Sequence, residues 1–211
     1  MRYGIIADIH SNLESLQKVL DFLKGKIDKL VVIGDVIGYG PDPNECLELL
    51  YQENPQFTLG NHEKGVLTGD LSHFNEDARI SLEWTISNLS PEYLEKIKNW
   101  PEKMEEENFL FLHGSPRDPV KGYIFSSSQA KSSFLKLNKK ICFNAHTHFP
   151  ICFRKRQTDE KVETIPCDFS GRLRIEIEED YLYIINVGSV GQPRDGFPLA
   201  CAGIYDDEKK I

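Results

Sequence analysis

Cysteine is scarce and poorly placed for any covalent or metal framework. The five thiols, Cys46, Cys142, Cys152, Cys167 and Cys201, are odd in number, widely spaced and form no C-x-x-C pair. That pattern excludes a disulfide scaffold and a thiolate zinc site, and all five are expected to be buried, reduced core residues. No apolar run approaches the roughly 20 residues of a membrane-spanning helix, so no membrane association is expected. The chain passes from Met1 straight into a strand-like segment without a signal peptide, which points to the cytoplasm. Positive charge is also in short supply: 25 Lys and Arg stand against 33 Asp and Glu, a net charge of −8. A broad grip on nucleic acid is therefore not expected. A small phosphorylated substrate stays open, because bound metal ions reverse the sign of a field locally. Internal repeats, low-complexity tracts and long linkers are missing as well.

What is present suffices for a core: 40% of the 211 residues are hydrophobic and 27% charged, a balance that favours one folded domain over disorder. Five apolar runs share a feature. Residues 3–7 lead into Asp8 and His10, 30–33 into Gly34 and Asp35, and 57–59 into Gly60, Asn61 and His62. Residues 109–112 lead into His113, and 141–143 toward His146 and His148. Short runs rich in Val, Ile, Phe and Leu read as buried strands.

Helical patterns lie between them. Ser11 and Glu14 fit a capping box, followed by a stripe of Leu13, Leu16, Leu20 and Leu23 that ends near Gly25. Further helices are expected over 44–51, 75–88, from Ser90-Pro91 onward, and over 126–137. Alternating strands and helices in the first 60 residues imply a largely parallel sheet. From Ile151 the spacing shortens, with strands expected over 151–154, 173–177, 181–187 and 199–205, a more antiparallel second sheet, and a loop or hairpin tip over 158–172. The acidic run 105–107 reads as a solvated hairpin tip. Trp84 and Phe74 read as core, His73 as solvated. The stop at Ile211 just after a turn-like Asp206-Asp207 suggests that a C-terminal strand is missing.

All five polar clusters follow strands, and ligands of such sheets bind beyond the strands' carboxyl ends. Asp8, His10, Asp35, Asn61, His113, His146 and His148 can therefore converge although they span most of the chain. Unpaired, so many polar groups would be costly to bury; two divalent cations about 3.5–4 Å apart, bridged by a single carboxylate, would neutralise them. Nitrogen and oxygen donors without thiolate suit Mn²⁺, Fe²⁺, Co²⁺, Ni²⁺ or Zn²⁺ rather than Ca²⁺, and Mn²⁺ is the expectation. A lone Asp-x-His arises by chance, but here five of the six histidines fall inside ordered motifs.

In their order, Asp8-Ile9-His10, Gly34-Asp35, Gly60-Asn61-His62-Glu63, His113-Gly114 and Ala145-His146-Thr147-His148 resemble the signature of the calcineurin-like metallophosphoesterases. Residues 34–41, 74–85 and 188–196 resemble a small prokaryotic branch described as phosphodiesterase-like or diadenosine-tetraphosphatase-like. The resemblance implies an α/β (α+β) four-layer αββα sandwich with two mixed sheets, residues 1–211 forming one domain. It implies that Asp8, His10 and His148 hold one metal and Asn61, His113 and His146 the other, with Asp35 bridging. His62 would be the general acid, in a catalytic set with Asp35 and Glu63. Glu63 stands where Asp is commoner, which bears on how His62 is oriented. Ala145 replaces the usual Gly, and Val187 stands where the branch often has Pro.

The expected activity is hydrolysis of a small phosphodiester or phosphomonoester by a metal-bridging hydroxide, His62 protonating the leaving oxygen. Arg194 and Tyr39, in Gly-flanked turns, and Asn61 are candidate substrate contacts. Dinucleoside polyphosphate hydrolysis is the second reading; it needs basic or aromatic groups near the cleft, of which the sequence shows few. A non-catalytic scaffold of the same fold, as in the eukaryotic retromer, is the third, and here no catalytic position is vacant. A homo-oligomer stays open.

Overall fold

The computed structural model describes residues 1–166 and 174–211. Among the described residues ten strands form two mixed sheets. In the first, β1 (Arg2–Ile6), β2 (Lys29–Ile33) and β3 (Gln56–Thr58) run parallel, and β10 (Gly203–Asp206) pairs antiparallel with β1. In the second the order is β4-β5-β6-β9-β7-β8. There β5 (Phe109–Leu112), β6 (Ile141–Asn144) and β9 (Tyr181–Asn186) are parallel, while β4 (Lys103–Glu105), β7 (Ile151–Arg156) and β8 (Val162–Pro166) pair antiparallel. Six helices accompany them: α1 (Leu13–Leu23), α2 (Pro43–Gln52), α3 (Asn61–Thr68), α4 (Glu76–Asn88), α5 (Pro91–Ile97) and α6 (Ser127–Phe134).

Successive strand side chains point to opposite faces, and here both faces are covered. Tyr3, Ile5, Val31 and Ile33 of the first sheet meet Phe109, Phe111, Ile141, Phe143 and Tyr183 of the second in one shared core. The alternate residues Ile6, Leu30 and Val32 pack beneath α1 to α5 with Leu16, Val19, Leu47, Leu50 and Leu82. Leu110, Leu112, Cys142 and Ile184 pack against Ala130 and Phe134 of α6. Three cores separate four layers: helices, sheet, sheet, helix. This two-sided burial is why the strands read as unbroken apolar runs rather than alternating ones.

Local expectations met different fates. Ser11 does not cap α1: it is buried at φ 53°, and its N–H donates to Val36 O at 2.8 Å. The cap passes to Asn12, whose side chain accepts from Ser15 N at 3.1 Å. Helix α3, absent from the sequence expectations, starts after a two-residue link from β3 and is closed by Gly69 at φ 70°. The segment expected as strand 199–205 shortens to β10 and joins the first sheet instead of the second. Residues 174–177 form no strand, and the start of that expected strand lies outside the described residues. Of the loop expected over 158–172, residues 162–166 form β8 instead, with a turn before it, and 167–172, with Cys167, lie outside the described residues. Trp84 is exposed, not core. Glu106 is no free hairpin tip, since it accepts from Tyr3 Oη at 2.7 Å and also pairs with Lys29. Cys46, Cys142 and Cys152 are buried, whereas Cys201 is half-buried. Among the described residues no helix is long and apolar enough to cross a membrane.

Candidate metal centre

Parallel strands bring their carboxyl ends to one edge. Asp8 and His10 follow β1, Asp35 follows β2, Asn61 opens α3 after β3, His113 follows β5, and His146 and His148 follow β6. Backbone hydrogen bonds lace these loops together: Ile9 N and His10 N donate to Asp35 O at 2.8 and 3.0 Å, and Ala145 N donates to His113 O at 2.9 Å. Nine non-glycine residues have positive φ among the described residues, and five of them are Asp8, His10, Asp35, His146 and His148. Such left-handed backbone costs of order 1–3 kcal/mol each and persists only where its surroundings enforce it.

The side chains converge in two groups that share Asp35. His10 Nε2 and His148 Nε2 lie 3.2 Å apart and 3.9 and 3.5 Å from Asp8 Oδ1, with Asp35 Oδ2 3.8 Å from His10 Nε2. His113 Nε2 lies 3.1 Å from Asn61 Oδ1, 3.1 Å from His146 Nδ1 and 3.2 Å from Asp35 Oδ2.

Tautomers decide what these contacts mean. His10, His148 and His113 each place Nδ1 on a backbone carbonyl, of Ile37 at 3.3 Å, Gln192 at 2.5 Å and Ile33 at 2.9 Å. Each Nδ1 must therefore carry its proton and donate, an arrangement typical of imidazoles that bind metal through the other nitrogen. His10 and His148, held neutral and so oriented, aim bare Nε2 lone pairs at each other and at carboxylate oxygens. Asp8 Oδ1 and His146 Nε2 are in addition buried without a hydrogen-bond partner. Acceptors facing acceptors in a dry site repel, and cations between them turn the repulsion into ligation. The donor set fits divalent metal.

The titration behaviour has the same origin. Burial pushes the Asp8 carboxyl up to about 8, with His113 opposing and Asp35 reinforcing. Burial also acts upward on Asp35, but the imidazoles of His113, His62 and His10 outweigh it and hold the carboxyl well below its usual range. Burial alone would lower His113, yet Asp35 and Asp8 raise it to about 9. Burial keeps His10 and His146 well below the ordinary imidazole value and His148 at about 3.

His62 is buried on the first turn of α3, its Nε2 4.0 Å from Asp35 Oδ2 and its Nδ1 without a hydrogen-bond partner. Its ring is wedged between His10, Tyr39 and Phe74 at centroid distances of 4.6, 4.9 and 5.1 Å. Gly38 makes room for it: at φ 84°, any Cβ there would strike His62 Nδ1. His62 also forms a third group of potential ligand atoms with His10 and Asp35. Burial holds it below the ordinary imidazole value, with Asp35 opposing.

Glu63, expected in a catalytic set with His62 and Asp35, bonds to backbone rather than to the His62 ring. Its carboxylate is wholly buried and accepts four backbone N–H groups: Val36 and Ile37 at 2.7 and 3.2 Å on Oε1, Asp35 and Gly60 both at 2.9 Å on Oε2. It ties the loop carrying Asp35 to the start of α3.

Above this cluster opens a cleft of about 310 Å³ lined by Asp35, Asn61, His62, His146 and His148 together with Tyr39 and Arg194. Arg194 is carried by the loop after β9, which is stitched to Asp8 by Ser189 Oγ and Gly191 N, both donating to Asp8 O. His73, which the sequence sets apart as solvated, is exposed but lies on the cleft wall. So do Lys121 and Tyr123, which sequence reasoning passed over. The signal available was their place in the loop directly after His113-Gly114.

The family model for calcineurin-like phosphoesterase matches residues 1–151. The chain belongs to the calcineurin-like phosphoesterases. A metallophosphoesterase from Sphaerobacter thermophilus is 34% identical, with a TM-score of 0.85 over 100% of this chain and 85% of that one. An uncharacterized protein of Methanocaldococcus jannaschii is 35% identical over 97% of this chain and 82% of its own length. A shorter likeness, 35% identity over 71 residues, covers 32% of this chain and 26% of the symmetrical bis(5′-nucleosyl)-tetraphosphatase of Wigglesworthia glossinidia brevipalpis. In this calcineurin-like chain the site described above supplies clustered, buried His and Asp donors.

Proposed function

We propose that the chain is a dinuclear metal-dependent phosphoesterase that hydrolyses a small phosphodiester or phosphomonoester. The observation that carries this reading is the pair of buried donor groups meeting at one carboxylate, with imidazole lone pairs facing each other 3.2 Å apart. Asp8, His10 and His148 would hold one ion and Asn61, His113 and His146 the other, with Asp35 common to both. Manganese is the first choice for an all-N/O donor set; Fe²⁺, Co²⁺, Ni²⁺ and Zn²⁺ share its preference for such ligands. When bound, such ions supply the Lewis acidity that makes water nucleophilic near neutral pH and offsets charge on phosphoryl oxygens.

The chain's own residues do the rest. The carbonyls of Ile37, Gln192 and Ile33 fix which imidazole nitrogen is free. Glu63 holds the backbone that aims Asp35. His62, in the cleft wall, would protonate the leaving oxygen, a contribution of typically ~10²–10⁴-fold. Arg194 and Tyr39 sit where they would orient the non-reacting phosphate oxygens, and Arg194 Nη2 is already braced by Gln192 Oε1 at 2.6 Å.

The test is hydrolysis of a nitrophenyl phosphodiester by chelator-stripped protein with and without Mn²⁺. Activity restored by the metal supports the reading; no turnover with any of the five metals ends it. A second reading, dinucleoside polyphosphate hydrolysis, gains from Lys121 and Tyr123 on the cleft wall and from the partial likeness to the tetraphosphatase. Diadenosine tetraphosphate as substrate separates the two.

A further inference from the structure

Beside the metal centre runs a strip of aromatic rings that the chemistry above leaves unused. Tyr123, Phe125 and Phe149 are 47%, 52% and 37% exposed, although rings of this kind are normally buried in large part. They touch one another. Tyr123 lies 3.9 Å from the His146 ring and nearly parallel to Phe125 (5.6 Å, 9°), and Phe125 meets Phe149 edge-on at 6.2 Å and 77°. The strip begins at His146 in the cleft wall and continues out over the surface.

The backbone under it is braced. Ser115 and Asp118 exchange backbone hydrogen bonds at 2.8 and 3.1 Å, Asp118 O also accepts from Gly122 N, and Asp118 Oδ1 accepts from Lys121 N at 3.0 Å. Ile124, between the two exposed rings, is 1% exposed and anchors the segment in the core. Phe149 N donates to Thr147 Oγ1, which Asn186 Nδ2 holds in turn at 3.0 Å. Rings fixed before binding lose little freedom on binding.

We propose that Tyr123, Phe125 and Phe149 form a stacking platform for a planar heteroaromatic ring of the substrate, so that the phosphate ester hydrolysed carries a nucleobase. The proposal rests on the phosphoesterase reading and narrows its substrate class. A cleft of about 310 Å³ is at the small end for a ligand site. It has room for a phosphoryl group and the sugar next to it, which leaves the remainder of a nucleotide over Tyr123 and Phe125. Lys121 and Arg194 line the same cleft, and the hydrogen-bond partners of Arg194 are the neutral Tyr39 Oη and Gln192 Oε1, so both cations can face phosphate oxygens. Stacking on aromatic side chains tolerates any base, because every base presents a π-face.

The experiment uses two non-cleavable phosphonates, one of adenosine and one of ribose lacking the base, titrated into the manganese-loaded protein by calorimetry. The expected wild-type preference for the adenosine compound is roughly 5- to 100-fold. Phe125→Ala should reduce that preference at least about fivefold, and Phe125→Trp should retain it. Equal affinities in the wild type, or a preference untouched by Phe125→Ala, would overturn the platform. Manganese-dependent hydrolysis without a base preference keeps the phosphoesterase reading and discards the platform. A base preference without hydrolysis does the opposite.

Discussion

Replacing Glu63 by glutamine tests the internal support of the site without touching a proposed ligand. In the wild type two carboxylate oxygens accept four backbone N–H groups, two each. Glutamine keeps one oxygen and turns the other into an NH₂ donor, which then faces two N–H donors in a site with no exposure. Each buried N–H left without an acceptor costs about 1–3 kcal/mol, so the substitution should destabilise by about 2–6 kcal/mol. That is a large share of the roughly 5–15 kcal/mol by which domains are stable. Because burial and the neighbouring Asp35 push the Glu63 carboxyl up to about 7, the comparison belongs at pH 8, where the carboxylate predominates. Urea unfolding followed by circular dichroism should show an unchanged slope and, at slopes of about 2–3 kcal/mol/M, a midpoint lower by about 0.7–3 M. Since the same clamp sets the backbone of Asp35, metal affinity should fall with it. An unchanged midpoint at pH 8 would mean that Glu63 already carries a proton, as glutamine mimics, and the four-fold clamp would be refuted.

Three further outcomes are expected. Asp35→Asn weakens the one carboxylate common to both groups, so metal analysis after gel filtration should find less than half the wild-type manganese; full retention would remove Asp35 from the bridging place. His62→Ala should slow hydrolysis of alkyl phosphodiesters by ~10²–10⁴-fold and that of nitrophenyl esters far less, because nitrophenolate leaves without a proton; equal losses on both would take His62 out of the acid role. Metal uptake should release protons and strengthen with rising pH. Asp8 (about 8) and His113 (about 9) are both raised in the metal-free protein, both must deprotonate to bind, and affinity should therefore level off above about pH 9. Calorimetry in buffers of different ionisation enthalpy counts the protons, and a pH-independent affinity between 6 and 9 would contradict the sign.

The strands and the candidate donors were legible in the sequence because both are local statements. An unbroken apolar run says that a strand is covered on both faces, and a polar residue just after it stands at the strand's carboxyl end. Asp8, Asp35, His113 and His146 could be named on that ground, as could α4 within 75–88 and α5 from Ser90-Pro91. The fold decided what depends on partners distant in the chain. Ser11 lost its cap role because Val36 O claims its backbone, and Trp84 was left outside because α4 turns another face to the core. Glu63 reads in sequence as part of a catalytic tetrapeptide; only the approach of the β2 loop to α3 shows it to be a backbone clamp. Lys121, Tyr123 and Phe125 are marked in the sequence only by following His113-Gly114, and their place beside His146 arises when β5 and β6 pair. Periodicity and capping act over a few residues and are written in the chain, whereas a contact between loops becomes visible only when the sheets have formed and brought their ends together.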